Sequence, residues 1–421
     1  MSAQATAAAA SRVAELRVET TPLGDVRELI PYLDAHTPLV WIRNGEGLAG
    51  IGTALRLEFS GANRMQDAAL AWQELVASAT VDDPIATPGT GLVAFGTFAF
   101  SDTSEQTSVL IVPEVIIGRR GGRSWITRIR PSEEPVPAQA APQPTPLGAE
   151  YRLSILPGSL TPDGYRAAVT DAVARIREHD LNKVVVARDL VGHLPVESDL
   201  RRALVRLALG YPDCWTFAVD GLVGSSPETL VRVHHGTVSA RVLAGTTARG
   251  TDASADRDAA IALATSHKDQ DEHAFAVQSV LDALRPHSPN LATSELPFTL
   301  KLPNLWHLAT DVAGTLNDGS TSLDLIDALH PTAAVAGAPT ADAVDLIDEL
   351  EPFDRGRYAG PVGWVGADGD GEWAIALRCA QVSPNGNLTA YAGCGIVADS
   401  DPDRELAETT MKFRPIVEAF G

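Results

Sequence analysis

The stretch that decides the fold is residues 161–188, TPDGYRAAVTDAVARIREHDLNKVVVAR, in which a helical pattern runs directly into a strand pattern. Thr161 suits a helix N-cap, and Pro162 suits the first helical turn. The apolar positions that follow recur at helical spacing: Tyr165, Ala168, Val169, Ala172, Val173 and Ile176. The β-branched run at 182–188 then predicts a buried strand with Lys183 at its mouth.

Strand patterns also occur on both sides of this stretch. Residues 90–100 and 108–118 are rich in β-branched and aromatic side chains and predict strands. The DGDG at 368–371 is interpreted as a hairpin turn, because a calcium loop would need more ligand positions. Further strands are predicted downstream at 216–223, 230–233, 360–365, 373–382 and 388–392.

A proline-rich segment, 131–150, predicts an exposed and extended connector. It divides the chain into a strand-rich part, 1–150, and a larger part, 151–421. The first part shows no evident reactive cluster, so we expect it to act as scaffold. The second part carries the patterns that indicate chemistry.

Composition restricts the possible partners. The chain has 421 residues and a formal net charge of -21, which disfavours nucleic acid and anionic membranes as partners. An anionic metabolite would have to be neutralised locally by placed cations or a metal ion. The cysteines, Cys214, Cys379 and Cys394, form no Cys-x-x-Cys pair, so neither a disulfide framework nor a structural zinc site is expected. With no apolar run long enough to span a membrane and no basic n-region at its start, we expect a cytosolic protein.

Two acidic helices are the clearest candidates for a metal site. Asp269 and Glu272 lie on one face of a predicted helix and continue its apolar stripe, so they need a charge partner or a metal. Glu405, Glu408 and Lys412 share one face of the last predicted helix. If the two helices meet, these oxygen ligands would suit Mg²⁺. The alternative is that they are ordinary surface charges in salt bridges within each helix.

The larger part of the chain resembles the family of chorismate-utilising enzymes, which comprises isochorismate and salicylate synthases and the large subunits of anthranilate and aminodeoxychorismate synthases. The resemblance covers roughly residues 155–415 and rests on eight segments in order. They are KVVVAR at 183, SSPETL at 225, LAGTTARG at 243, SHKDQDEH at 266, LWHLAT at 305, LHPTAAVAG at 329, ALRCA at 376 and AGCGIVADSDPDRELAETTMK at 392.

The resemblance implies a single large α/β (α+β) domain, similar to anthranilate synthase component I, whose two layered sheet-and-helix halves enclose a deep active site. The N-terminal region would contribute strands to the same unit. The resemblance also implies that Glu272 and Glu408 hold Mg²⁺, while Asp269 and Glu405 support its water shell.

The same resemblance implies a set of substrate contacts. Arg378 also has a physical case, because an arginine inside the predicted strand 373–382 is costly unless it meets an anion, although a structural salt bridge would serve equally well. His307 taken alone would be a core histidine. The implied contacts are Gly245, Thr246, His307, Tyr358, Arg378, a glycine-rich turn at Gly393 and Gly395, and Lys412.

Lys183 and Glu228 match the general base and the general acid of isochorismate synthases. A lysine with an ordinary pKa of about 10.4 must be desolvated or placed near another cation to act as a base. Glu228 must keep its proton near neutral pH. Without the resemblance, Lys183 could equally be an edge-strand residue pointing into water, and Glu228 would be a loop glutamate.

The implied activity is the Mg²⁺-dependent conversion of chorismate to isochorismate. Ala244 stands where aminodeoxychorismate synthases place a nucleophilic lysine, so neither amine transfer nor a glutaminase partner is expected. A salicylate synthase, which would also eliminate pyruvate, and a non-catalytic chorismate-binding subunit are the alternatives. We expect a monomer.

Overall fold

The computed structural model describes residues 15–133, 142–178 and 181–421. Its strands are β1 Leu16–Leu23, β2 Leu39–Arg43, β3 Glu46–Ile51, β4 Leu55–Phe59, β5 Thr80–Asp82, β6 Val93–Thr97, β7 Ser108–Val112, β8 Val115–Arg120, β9 Arg123–Pro131, β10 Leu156–Pro157, β11 Lys183–His193, β12 Trp215–Val219, β13 Leu222–Ser226, β14 Thr229–His234, β15 Thr237–Ala248, β16 Ala292–Thr293, β17 Phe298–Lys301, β18 Leu305–Thr315, β19 Gly337–Ala338, β20 Pro361–Gly366, β21 Gly371–Ile375, β22 Cys379–Val382 and β23 Asn387–Ile396.

The helices are α1 Arg64–Ser78, α2 Pro162–Glu178, α3 Arg201–Gly210, α4 Ala253–Thr265, α5 His267–Leu284, α6 Ser322–Leu329, α7 Thr340–Leu350 and α8 Pro402–Phe420, with one 3-10 turn at Ile30–Tyr32. The predicted helix after Thr161 is confirmed as α2, and its six predicted apolar positions are buried. Both acidic helices are confirmed as well: the side chain of Ser266 caps α5, and that of Asp401 caps α8.

Two sheets form the framework of the molecule. The first sheet runs in the order β10-β11-β23-β22-β13-β12-β2-β3-β8-β9-β1-β5, with β19 also paired to β11. The second sheet runs β16-β18-β15-β14-β21-β20-β6-β7-β4, with β17 also paired to β18. Strands from residues 15–133 therefore extend both sheets, and the expected mixed α/β architecture of a single unit is confirmed.

Helices cover the two sheets and place the acidic residues. Helix α5 packs on β15 of the second sheet, and α8 packs on β23 of the first sheet. The largest apolar core joins residues of both sheets, from Trp41 and Phe95 to Val184 and Trp373. Among the helices that the structure describes, none is long and apolar enough to cross a membrane.

Three predicted strand segments are divided in the structure, and the first of them, 108–118, forms β7 in the second sheet and β8 in the first sheet. The segment 216–223 forms β12 and β13, joined by a tight turn in which Asp220 and Gly221 both have positive φ. The segment 373–382 forms β21 and β22, which belong to different sheets. Arg378 lies between them with φ +49°, so its prediction inside one continuous strand was wrong. Alternating apolar residues do not reveal where a chain leaves one sheet for another.

The predicted glycine-rich turn is also wrong, because Gly393 and Gly395 lie inside β23. The DGDG interpretation is confirmed, since residues 367–370 connect β20 to β21 as a hairpin. Of the predicted connector, residues 134–141 lie outside the described part of the chain. Residues 142–150 have no regular secondary structure, and the N–H of Thr145 donates to the carbonyl of Pro31.

Candidate active site

A cavity of about 540 Å³ opens between the two sheets beneath α5 and α8. Glu228, all four predicted metal ligands and all eight predicted substrate contacts line it. Residues far apart in sequence thus meet at one place, as the resemblance implied. Lys183 is the one predicted site residue that does not belong to the lining, but it contacts Glu272 and Gly395, which do.

Lys183 begins β11, and its side chain is only 2% exposed. Its Nζ lies 2.9 Å from Oε1 of Glu272 on α5. A Cβ added at Gly395 would come within 2.6 Å of both Cε of Lys183 and Oε1 of Glu272, so only glycine leaves room for this contact. Burial of the lysine was expected, but its neighbour is an anion rather than another cation.

Glu228 lies in the short connection between β13 and β14, and it is 5% exposed. Burial raises the pKa of its carboxyl from 4.5 to about 7, although Arg378, Lys183, the backbone N–H of Leu243 and Lys412 act in the opposite direction. No salt bridge to Glu228 is formed within the described residues. A carboxyl that is partly protonated at neutral pH can act as a general acid.

Three of the four acidic residues of α5 and α8 form ion pairs with lysines; Asp269 forms none within the described part of the chain. Glu408 lies 2.6 Å from Lys412 and Glu405 lies 3.9 Å from Lys268, in addition to the Lys183–Glu272 pair. A salt bridge within one helix, which was the alternative to a metal site for these acids, is formed by Glu408 alone among the four in the described residues. The other two ion pairs join different elements.

Crowding of negative charge affects the acids themselves. Burial, together with the charge of Glu408, raises the pKa of Glu405 to about 7. Burial also raises the pKa of Asp269, and Glu272 and Glu408 add to that rise. Burial acts to raise the pKa of Glu272, but Lys183, Lys412 and Lys268 together outweigh it, so that pKa is lowered. An oxygen-rich, crowded site of this kind fits a hard divalent cation such as Mg²⁺.

Sequence reasoning missed Cys394, whose Sγ lies in one group with carboxylate oxygens of Glu405 and Glu408, all within 4.8 Å of one another. Burial raises the pKa of this thiol well above its usual range. A buried thiol is a poor ligand for Mg²⁺, so we regard Cys394 as a neighbour of the acidic site. Its place between two glycines that the resemblance had already assigned to the site was the signal available.

Arg378, His307 and Thr246 form a connected chain of side chains. Nη2 of Arg378 lies 3.3 Å from Nε2 of His307, and Nδ1 of His307 lies 2.9 Å from Oγ1 of Thr246. Across the sheet, Thr246 of β15 is paired with His307 of β18, next to a β-bulge at Gly245. The left-handed backbone of Gly245 (φ +79°) lets Asp269 of α5 approach this bulge closely.

The remaining predicted contacts complete the wall. Nζ of Lys412 donates to the carbonyl of Gly393 at 2.9 Å. Tyr358 stacks on Tyr391 with ring centroids 5.3 Å apart, and burial raises the pKa of Tyr358 to about 12. Arg378 has no carboxylate partner within salt-bridge distance among the described residues, so its charge remains available to an anionic ligand.

Comparisons with known proteins identify the family of this chain. Residues 40–421 match the model of the family described as chorismate binding enzyme, so the chain belongs to that family and is an enzyme. It is 39% identical to the isochorismate synthase DhbC of Bacillus subtilis, over 65% of this chain and 71% of the relative. It is 32% identical to the salicylate biosynthesis isochorismate synthase of Pseudomonas aeruginosa, over 96% of this chain and 89% of the relative.

The fold is likewise similar to a solved structure, that of MenF, the menaquinone-specific isochorismate synthase of Escherichia coli. The TM-score is 0.77 at 25% identity, with 96% of this chain and 94% of the other covered.

Proposed function

We propose that the protein is an isochorismate synthase, which adds water at C2 of chorismate and releases the C4 hydroxyl. The single observation that carries the proposal is the buried Glu228, whose pKa of about 7 suits a proton donor. It lies in a cavity that is also lined by the acidic residues of α5 and α8 and by Arg378, which has no carboxylate partner among the described residues. The names of the relatives support the same reaction.

On the acid side, Glu228 would give its proton to the departing C4 hydroxyl, which then leaves as water. Burial favours the protonated carboxyl before the reaction. Arg378, Lys183 and Lys412 counteract that burial, so their positive charges stabilise the carboxylate that remains after the proton has left. Both features suit a group that donates one proton and later recovers it.

On the other side, Lys183 would accept the proton of the attacking water. Its nitrogen now donates to Glu272, so the base role requires this ion pair to separate and the ammonium first to release a proton to solvent. Gly395 allows the lysine to reach the cavity wall, because no side chain stands between them. Lys183 thus lies over Gly395 and beside Glu272, two residues of the cavity lining.

We further propose that Glu272 and Glu408 hold Mg²⁺, with Asp269 and Glu405 binding its water shell. When bound, the ion would supply charge neutralisation and fix the orientation of the ring carboxylate. Arg378 and Lys412 would bind further anionic oxygens of the substrate. A buried anion needs such partners in a protein whose net charge is -21.

The decisive experiment incubates the pure protein with chorismate, with and without Mg²⁺, and quantifies isochorismate, pyruvate and salicylate. We expect isochorismate in the presence of Mg²⁺ only, and none from Lys183→Ala. The matched control is Lys301→Ala, because Lys301 is a surface lysine 57% exposed and outside the cavity. Substantial salicylate would instead identify a salicylate synthase, and tight chorismate binding with no product would identify a non-catalytic subunit.

We also propose that the enzyme acts as a monomer in the cytosol without a glutaminase partner. Sedimentation at micromolar concentration should give a single species of 44.4 kDa. Turnover should not depend on ammonia or glutamine.

A further inference from the structure

The chain of side chains Thr246–His307–Arg378 has a fixed direction. A guanidinium can only donate hydrogen bonds, so Nε2 of His307 must accept from Arg378. The ring proton is then on Nδ1, which donates to Oγ1 of Thr246.

This direction leaves two donors free for a ligand. Thr246 already accepts at its oxygen, so its own hydroxyl proton can be given to another acceptor. Arg378 uses one N–H on His307 and keeps the others. Both residues line the cavity, and His307 is 4% exposed with both ring nitrogens engaged. His307 therefore has no ring nitrogen left for a substrate contact.

The surroundings keep the imidazole neutral. Burial lowers the pKa of His307 well below its ordinary value, and the charges of Arg378 and Lys412 lower it further. A protonated ring would place a cation against Arg378 and remove the acceptor that holds the guanidinium.

The main chain and the side chain of Arg378 are held by different contacts. Its φ of +49° lies in the left-handed region, which residues other than glycine seldom adopt. The N–H of Ser225 donates to its carbonyl at 3.1 Å, which fixes the main chain. The contact with His307 is the one hydrogen bond that fixes its guanidinium among the residues that the structure describes.

We propose that His307 is a positioning residue that aims the guanidinium of Arg378 and the hydroxyl of Thr246 at one carboxylate of the anionic substrate. This inference rests on the proposed function, because chorismate is the ligand in the test. It assigns to His307 a role through its neighbours in place of the direct substrate contact that the sequence implied.

The test is a set of four variants assayed for chorismate binding by calorimetry and for kcat and KM. His307→Ala should weaken binding about tenfold to a hundredfold and change kcat less, since hydrogen bonds to charged groups contribute on this scale. His307→Gln should recover most of the loss, because an amide can accept from Arg378 and donate to Thr246. Thr246→Val should weaken binding about tenfold.

The double variant His307→Ala with Thr246→Val shows whether His307 acts through Thr246 or independently of it. If the chain is a unit, the double variant binds within about threefold of His307→Ala alone, because the hydroxyl has already lost its orientation. The proposal would be overturned if the losses of binding in His307→Ala and Thr246→Val multiplied in the double variant. It would also be overturned if His307→Gln bound chorismate no better than His307→Ala. Circular dichroism and urea unfolding verify that each variant is folded.

A second measurement is independent of the reaction. Nitrogen NMR of histidine-labelled protein, assigned with His307→Gln, should show a neutral ring of His307 protonated at Nδ1 at pH 7. Arg378→Ala should shift the resonance of Nε2. A ring protonated at Nε2 would refute the hydrogen-bond direction even if the enzyme proves active, whereas failure of the wild type to bind chorismate would refute only the proposed function.

Discussion

Two buried glutamates in the same part of the chain behave in opposite ways. Glu372 on β21 is 1% exposed and lies where N-terminal strands meet the catalytic region. Its Oε1 lies near Arg120, Arg232 and His234 at 3.0, 3.2 and 3.1 Å. Its Oε2 accepts from the indoles of Trp41 and Trp364. Burial alone would raise the pKa of Glu372, but these partners, His234 and Arg120 above all, lower it to about 2.

Glu228 is just as inaccessible but has no ion-pair partner in the described residues, and burial raises its pKa to about 7. The two carboxyls thus depart from the same ordinary pKa of 4.5 in opposite directions. Burial therefore does not decide the function of a glutamate. The number of donors aimed at the carboxylate decides whether it serves as an anchor or as a proton donor.

The largest expected effect separates the two residues by activity. Glu228→Gln keeps the shape but removes the transferable proton, so turnover should fall by about 10²–10⁴-fold. The wild-type rate should decrease as pH rises above about 7, because the acid is then ionised. Initial rates of isochorismate formation between pH 6 and 9 measure the loss of turnover in Glu228→Gln and the pH dependence of the wild type. A rate for Glu228→Gln within tenfold of wild type would remove Glu228 from the mechanism.

Glu372→Gln should affect stability and leave the chemistry intact. The neutral amide leaves two arginines uncompensated, so the free energy of unfolding should fall by about 3 kcal/mol. Urea unfolding measures this loss, and kcat of the folded variant should stay within about threefold of wild type. A Glu372→Gln variant that is inactive yet as stable as wild type would contradict a purely structural role for Glu372.

The pH dependence of stability should have opposite signs at the two sites. The carboxyl of Glu228 has a raised pKa in the folded state, so its contribution is present below pH 4.5 and is lost as pH rises through 7. That of Glu372 is present above pH 4.5 and is lost as pH falls towards 2. Urea unfolding at pH 5 and pH 8 should show Glu228→Gln gaining about 2–3 kcal/mol relative to wild type at the higher pH. An unchanged difference would contradict the raised pKa.

The smallest effect concerns one partner of the anchor. Arg120→Met removes a single donor from Glu372, while Arg232 and His234 remain. The free energy of unfolding should fall by about 1 kcal/mol, less than for Glu372→Gln. The midpoint of urea unfolding measures it. A loss equal to that of Glu372→Gln would show that the three donors act as one unit.

Much of this site could be predicted from sequence because it is built on local patterns. Capped helices, the β-branched run after Lys183, and acids spaced on one helical face all follow from the nearest few residues. The resemblance then assigned the residues that meet in the cavity.

What sequence could not provide depends on contacts between distant elements. The ion pair of Lys183 with Glu272 joins β11 to α5, and the strand break at Arg378 arises where the chain passes from one sheet to the other. The resemblance implied a turn at Gly395, whereas here Gly395 lies in β23 and its lack of a side chain permits the close approach of Lys183 and Glu272. The chain Thr246–His307–Arg378 likewise needs three elements to come together.

The ion pairs around the cavity also determine what holds its two walls together. Lys183 belongs to the first sheet and contacts Glu272 on the helix that covers the second, while Lys268 reaches from α5 to Glu405 on α8. Ion pairs between lysine and glutamate side chains therefore already join the two walls of the cavity. A divalent ion bound there would replace these lysine–glutamate ion pairs. When the ion is removed, the ion pairs should form again, so the two walls should keep their relative positions.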